Sequence, residues 1–152
     1  MAFVDVGGTR LEVERIDVGR AAAPPIVMLH EGLGSVAMWK DFPHRVAHAA
    51  NRDVVVYSRA GYGRSAPATL PYGVRYMHDE ALVALPRLLD ACGIVRPILL
   101  GHSDGGSIAL IHAAAAGRPV AGLALMAPHV IVEDVSIASI AAAKVAWRTT
   151  DL

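Results

Sequence analysis

The stretch Pro97–Ala116, PILLGHSDGGSIALIHAAAA, most narrows what this chain can fold into. An apolar run stops at Gly-His-Ser-Asp-Gly, and a second apolar run with helical spacing begins at once. A strand that ends in a one-residue corner and passes straight into a helix needs glycine on both sides, because the backbones approach where a Cβ would collide. The rest of the sequence is written to match. IVMLH (Ile26–His30), DVVVYS (Asp53–Ser58), PILLG (97–101) and VAGLALMA (Val120–Ala127) are short continuous apolar runs, the pattern of strands covered on both faces. Helical segments separate them: Val36–Ala50 with a break near Pro43, Tyr72–Cys92 kinked at Pro86 and stopped by Gly93, and Ser103–Ala116. FVDV and RLEVERID, split by Gly7-Gly8, read as an antiparallel hairpin, and Asp134 is placed to cap a last helix through VSIASIAAAKVAW. The alternation predicts one α/β domain with a mostly parallel, doubly covered sheet.

Composition removes several classes of function. Lys+Arg and Asp+Glu both number 14, so the balanced charge offers no basic surface for nucleic acid. Cys92 is the only cysteine, in an apolar helical stretch, and predicts a buried thiol rather than a disulfide framework or metal site. The N-terminus lacks a basic region followed by an apolar one, and no apolar run approaches the ~20 residues of a membrane span. A cytoplasmic protein without a membrane partner is expected. GYGRSA (Gly61–Ala66) fits a dinucleotide-binding G-x-G-x-x-A, but Pro67 and Pro71 follow where a helix would have to open. The acidic residues about twenty positions on, Asp79 and Glu80, fall in a helix rather than at a strand end. That reading is kept as a remote alternative, and neither a cofactor nor a metal is expected.

The corner itself carries chemistry. Gly101-x-Ser103-x-Gly105 has the spacing of a nucleophile elbow, which lifts a serine oxygen above the sheet and turns the N–H of the next residue, Asp104, toward an oxyanion forming there. A G-x-S-x-G arises by chance in about 6% of chains of this composition, so the strand before it and the helix after it carry the weight. The bland alternative is a tight turn that happens to hold serine. LHEGLGS, from Leu29 to Ser35, puts a second glycine loop at the end of an earlier strand, where another amide donor is needed.

These pieces, with SRAGYGRSAP, LPRLLDACGI, ILLGHSDGGSIAL and VAGLALMAPHVIVEDVS, resemble the α/β-hydrolase superfamily in its cap-bearing branch, over about Ile26 to Ser136. The resemblance implies Ser103 as nucleophile, the Asp104 N–H as oxyanion donor, and the N–H of Gly32 or Leu33 as the second. Glu31 stands where the family more often has glycine after histidine, which leaves the choice between those two amides open. It also implies that residues 1–134 are the N-terminal part of a hydrolase core, that 135–152 begin the cap helix, and that the fold is truncated after about six strands. The expected substrate is a small molecule with an ester, amide or related acyl group.

A serine nucleophile needs a base, and the base an orienting acid. The family's chain order is serine, acid, histidine, and the strands that would carry the last two are not found here. Among the seven histidines, His102 faces the opposite side from its strand neighbour and is expected to pack under the elbow, while His30 is expected to brace the oxyanion loop. His44, His48, His78 and His112 fall in helices as surface or core residues. His129 alone lies on the same edge as Ser103, with Asp134 or Glu133 as an orienter, although a plain loop histidine is the blander reading. The 152-residue chain by itself is therefore expected to be inactive or nearly so. A non-catalytic hydrolase-like binding module is the alternative. The bare apolar edge of the last strand suits a second copy, or a separate C-terminal half.

Overall fold

The computed structural model describes residues 2–149. Strands β1 (Ala2–Val6) and β2 (Thr9–Ile16) form the expected antiparallel hairpin, with Val6 opposite Thr9. Gly7 and Gly8 both have positive φ, +64° and +87°, the backbone of a two-residue turn that matches strand twist. β3 (Ile26–Leu29), β4 (Val54–Tyr57), β5 (Ile98–His102) and β6 (Gly122–Met126) are parallel to one another, and β2 pairs antiparallel with β4. The order across the six-stranded sheet is β1-β2-β4-β3-β5-β6.

Burial follows the two-residue period of a strand on both faces. Val27, Leu29, Val55, Tyr57 and Leu99 join one core with Leu85, Leu88, Leu89 and Ile108, while Ile26, Met28, Val54, Val56 and Leu100 join the other with Val36 and Ala47. Helix α1 (Phe42–Ala50), with Pro43 in its first turn, covers the second face. Helices α2 (Tyr76–Asp79), α3 (Leu85–Ala91) and α4 (Asp104–Ala115) cover the first. Cys92 is buried as expected. Helix α5 (Asp134–Thr149) follows β6 and buries none of its residues.

Two helical segments differ from the sequence reading. Val36–Ala50 divides into a 3-10 turn, Ala37–Trp39, and α1. The predicted helix from Tyr72 begins only at Tyr76, because the Tyr72 hydroxyl donates to the Ala60 carbonyl (3.1 Å) and its ring stacks on Tyr62, holding it in the loop. Pro86 is accommodated not by a bend alone but by a π-helical stretch, Glu80–Ala84, just before it. There Leu85 N–H donates to Glu80 O, so the next carbonyl, that of Ala81, would look to Pro86, which has no N–H. His112 of α4 supplies the missing donor, Nδ1 to Ala81 O at 2.8 Å.

The connections set the position of the site. The chain leaves β3 toward β4 on one side, then returns across β3 to β5 and continues to β6 on the other. The carboxyl ends of β3 and β5 therefore flank a topological switch point, where open α/β sheets bind ligands.

Candidate active site

Ser103 sits between β5 and α4 with φ +51° and ψ −117°, a conformation that L-residues other than glycine rarely adopt. Strain of this kind costs on the order of 1–3 kcal/mol and is held by its surroundings. The Ser103 N–H donates to Met126 O at 2.8 Å, which ties the corner to the end of β6. A Cβ on Gly101 would run into the Gly105 carbonyl, and one on Gly105 into the Leu29 carbonyl. The first turn of α4 thus lies directly against the backbones of β3 and β5. Its amides, Asp104 N–H among them, have no helical carbonyl four residues back.

Across the switch point, the loop after β3 is held from beneath. His30 is fully buried; its Nδ1–H donates to Glu31 O (2.7 Å) and its Nε2 accepts from Arg59 N–H (3.0 Å). Burial, then the neighbouring Arg59 charge, push its pKa down to about 3, so the ring is neutral with the proton on Nδ1. Arg59 is only 2% exposed; Nη1 donates to His30 O (2.7 Å) and Nη2 to Glu31 O (3.0 Å). Because the peptide is planar and trans, fixing the Glu31 carbonyl on Arg59 and His30 turns the Gly32 N–H the opposite way. Gly34 N–H closes the turn on Glu31 O at 3.2 Å. Gly32 lies against the Asp104 carboxylate, 3.1 Å from where its Cβ would be, whereas Leu33 is at the tip and 81% exposed. Among the described residues neither the Gly32 nor the Leu33 amide has a protein partner.

Beside Ser103 four side chains converge: His129, Asp104, Tyr76 and Arg59. His129 Nε2 lies 2.9 Å from Ser103 Oγ and 3.3 Å from Asp104 Oδ1. Tyr76 donates its hydroxyl to Asp104 Oδ2 at 2.6 Å, and Arg59 Nη2 is 3.9 Å from the same oxygen. Burial, reinforced by that hydrogen bond and the Asp104 charge, holds the Tyr76 phenol far above its usual range, so it acts as a donor. Asp134 opens α5, exposed, and among the described residues no hydrogen bond or ion pair joins it to the His129 ring.

His102 departs from the expectation that it packs under the elbow. Strand alternation puts it on the face of Leu100, at the rim, with its side chain 44% exposed, 4.0 Å from Glu31 Oε2 and edge-on to Trp39. His44, His48 and His78 are exposed and His112 is buried, as expected of helix residues. The G-x-G-x-x-A stretch opens no helix: Gly61 N–H donates to Ala66 O (2.8 Å), folding it into a closed loop. Among the described residues no group of three or more His, Cys, Asp or Glu is arranged to hold a metal.

Sequence reasoning gave no role to Arg59, Tyr76, Ser107 or Glu12. Glu12 is buried on β2 and accepts from Ser58 Oγ (2.9 Å), Arg64 N–H (3.0 Å) and Arg64 Nε (3.1 Å). Burial alone would raise its pKa, but the bonds from Arg64 and Ser58 prevail and lower it. Ser58 Oγ also accepts from Val36 N–H (2.9 Å), so the cluster anchors the loops after both β3 and β4. For Glu12 and Arg59 the available signal was a charge at or beside an otherwise apolar run, which must find partners. A cleft of about 500 Å³ opens next to His129, between Val74, Met77, Ser107 and Leu110. A larger one, of about 630 Å³, lies at the opposite edge of the sheet near Arg15 and Arg96 and touches none of these groups.

A strained serine at a strand–helix corner, on the switch point of a mostly parallel sheet, is the arrangement of one large class of enzymes. A family model described as the alpha/beta hydrolase fold matches residues 24–149, and the chain belongs to that family. Over 92 residues it is 42% identical to "Putative carbamate hydrolase RutD" of Pseudomonas savastanoi pv. phaseolicola, covering 59% of this chain and 33% of that protein. Over 85 residues it is 33% identical to the (lyso)-N-acylphosphatidylethanolamine lipase of Mus musculus, covering 56% and 24%. Among solved structures, a carboxylesterase structure from the thaumarchaeon Nitrososphaera gargenis superposes with a TM-score of 0.75 at 22% identity, over 95% of this chain and 53% of that one. The chain thus spans a third or less of the length of these two curated relatives. No helix among the described residues is long and apolar enough to cross a membrane.

Proposed function

We propose that this chain carries the nucleophile and the oxyanion-stabilising loops of a serine hydrolase acting on an ester, amide or related acyl group of a small molecule. The observation that carries the reading is Ser103 at φ +51° on the corner between β5 and α4. Ser103 Oγ attacks the carbonyl carbon and its proton passes to a base. The oxyanion is met by the Asp104 N–H and, across the switch point, by an amide of the Glu31–Gly34 turn. The constrained Glu31–Gly32 peptide favours Gly32 over Leu33 for that second donor. Collapse of the intermediate expels the protonated leaving group, and water then releases the acyl group from Ser103. The relatives named for carbamate hydrolysis and for a lipase are in keeping with acyl chemistry and leave the substrate open.

The same reading puts the acid and base of the triad outside these 152 residues, treats residues 135–152 as the start of a cap, and leaves the free edge of β6 for a strand from a second copy or a separate polypeptide. Support comes from α5, which buries nothing, and from Asp104, which meets His129 on the nitrogen nearest the serine rather than the far one. That last feature also favours the non-catalytic module as the second reading. Prolonged incubation with a fluorophosphonate separates them. A slow stoichiometric adduct on Ser103, absent in Ser103→Ala, is expected of the hydrolase reading, since oxyanion and binding contributions of ~10³–10⁴ over water survive loss of the base. No adduct on Ser103 sinks it, and ester turnover well above that residual level, abolished by Ser103→Ala, sinks the missing base.

A further inference from the structure

We propose that His129 is a fixed hydrogen-bond donor to the Ser103 hydroxyl, locked in that role by Asp104, and is not the base that removes the Ser103 proton. The inference rests on reading Ser103 as the nucleophile. Nε2 lies 2.9 Å from Ser103 Oγ and the same Nε2 lies 3.3 Å from Asp104 Oδ1. A bare lone pair there would face a carboxylate oxygen, whereas a proton there is attracted by the Asp104 carboxylate at 3.3 Å and makes its hydrogen bond to Ser103 at 2.9 Å. A triad base needs the reverse, with the carboxylate on Nδ1–H and the Nε2 lone pair facing the hydroxyl. Asp104 is supplied as an acceptor from its other side as well, with the Tyr76 hydroxyl at 2.6 Å and the Arg59 guanidinium at 3.9 Å from Oδ2.

The backbone is shaped to deliver the ring to this spot. Ala127, just past β6, takes φ +47°. Pro128 then packs on α4 at Gly106, where a Cβ would come within 3.2 Å of it. The Ser107 hydroxyl holds His129 by both backbone groups, accepting from its N–H (2.8 Å) and donating to its carbonyl (3.2 Å). Residues Ser103, Asp104, Gly106 and Ser107 all belong to the corner and the first turn of α4, so His129 is registered to the nucleophile by the element that carries it.

The chemical consequence is directional. One lone pair of Ser103 Oγ is occupied by His129 Nε2–H, so the serine proton points elsewhere, and the base that takes it approaches from another side. As the base draws the proton away, the same donor steadies the charge left on Oγ, before that charge passes to the carbonyl oxygen as the new bond forms.

Long-range ¹H–¹⁵N NMR of the 152-residue chain reads the proton directly, with His129 assigned by its loss in His129→Gln. The expected result is a protonated Nε2 between pH 7 and 9, and mixed tautomers in Asp104→Ala. A neutral ring with a bare Nε2, or a tautomer indifferent to Asp104→Ala, overturns the proposal. Fluorophosphonate labelling of Ser103 gives a second readout. Glutamine can donate but cannot serve as a base, so His129→Gln is expected to label about ten- to a hundredfold faster than His129→Ala, the scale of one hydrogen bond to a charged group. Equal losses in both variants, with both folded by thermal melting, also overturn it. If wild type is not labelled on Ser103 at all, the nucleophile reading fails while the NMR result still decides the state of His129.

Discussion

Arg59 shows how one buried side chain can shape a loop it does not belong to. Its guanidinium serves two consecutive carbonyls, His30 and Glu31, and its own N–H serves the His30 ring. Arg59→Met removes both carbonyl bonds while retaining bulk, and is expected to cost about 3–6 kcal/mol in urea unfolding, since each such bond contributes roughly 1.5–3 kcal/mol. It should slow Ser103 labelling as well, because the Gly32 amide loses its orientation. His30 gives the pH dependence. Its folded pKa, about 3, lies below the unfolded value near 6.5, so its contribution is complete above pH 6.5. As pH falls toward 3 the unfolded chain takes up a proton the folded one refuses, and stability drops by up to a few kcal/mol. Urea midpoints measured from pH 7 to 4 should fall, and His30→Gln should flatten that slope. Glu12 has a depressed carboxylate pKa and loses its contribution over a lower range, as pH falls through and below the ordinary carboxylate value.

At the scale of elements, α4 is tied at both ends. Asp104 at its start accepts from Tyr76 of α2, and His112 near its end donates to the Ala81 carbonyl that Pro86 leaves without a partner. His112→Leu strands that carbonyl and is expected to destabilise by about 1–3 kcal/mol. In a Pro86→Ala background the helix can supply its own N–H, so the same substitution should cost at least about 1 kcal/mol less, a coupling measurable by a double-mutant cycle. The elbow is less forgiving. Gly105→Ala drives a Cβ into the Leu29 carbonyl, where nothing flexible can yield, and should cost more than about 3 kcal/mol or prevent folding, read from the thermal melt.

For the whole molecule, both outer strands of the sheet have an unpaired edge: among the described residues β1 pairs only with β2 and β6 only with β5, and β6 exposes 40% of Leu123. An apolar edge with unpaired backbone groups invites another strand. Light scattering of the 152-residue chain is expected to show a mass that rises with concentration, and Leu123→Lys to suppress it; a strictly monomeric wild type would count against that edge. How much of this was legible beforehand depends on the range of the interaction. The strands were readable because burial on both faces leaves runs such as Val54–Tyr57, and the corner because Gly101 and Gly105 must meet neighbouring backbones. Those are local demands, imposed on consecutive residues whatever the rest of the chain does. The partners of Ser103 were not legible in the same way. His129 is 26 residues away from Ser103, Asp104 is 28 from Tyr76, and Glu12 is 52 from Arg64. Which of those meet follows from the order β4-β3-β5-β6 and from a proline and a positive-φ alanine after β6, and a hydrogen bond across such distances has no spacing rule in the sequence. The sequence by itself therefore determined an α/β sheet and a serine raised at its edge. Only the tertiary structure decided which nitrogen of which histidine faces that serine, because that depends on how separate elements pack.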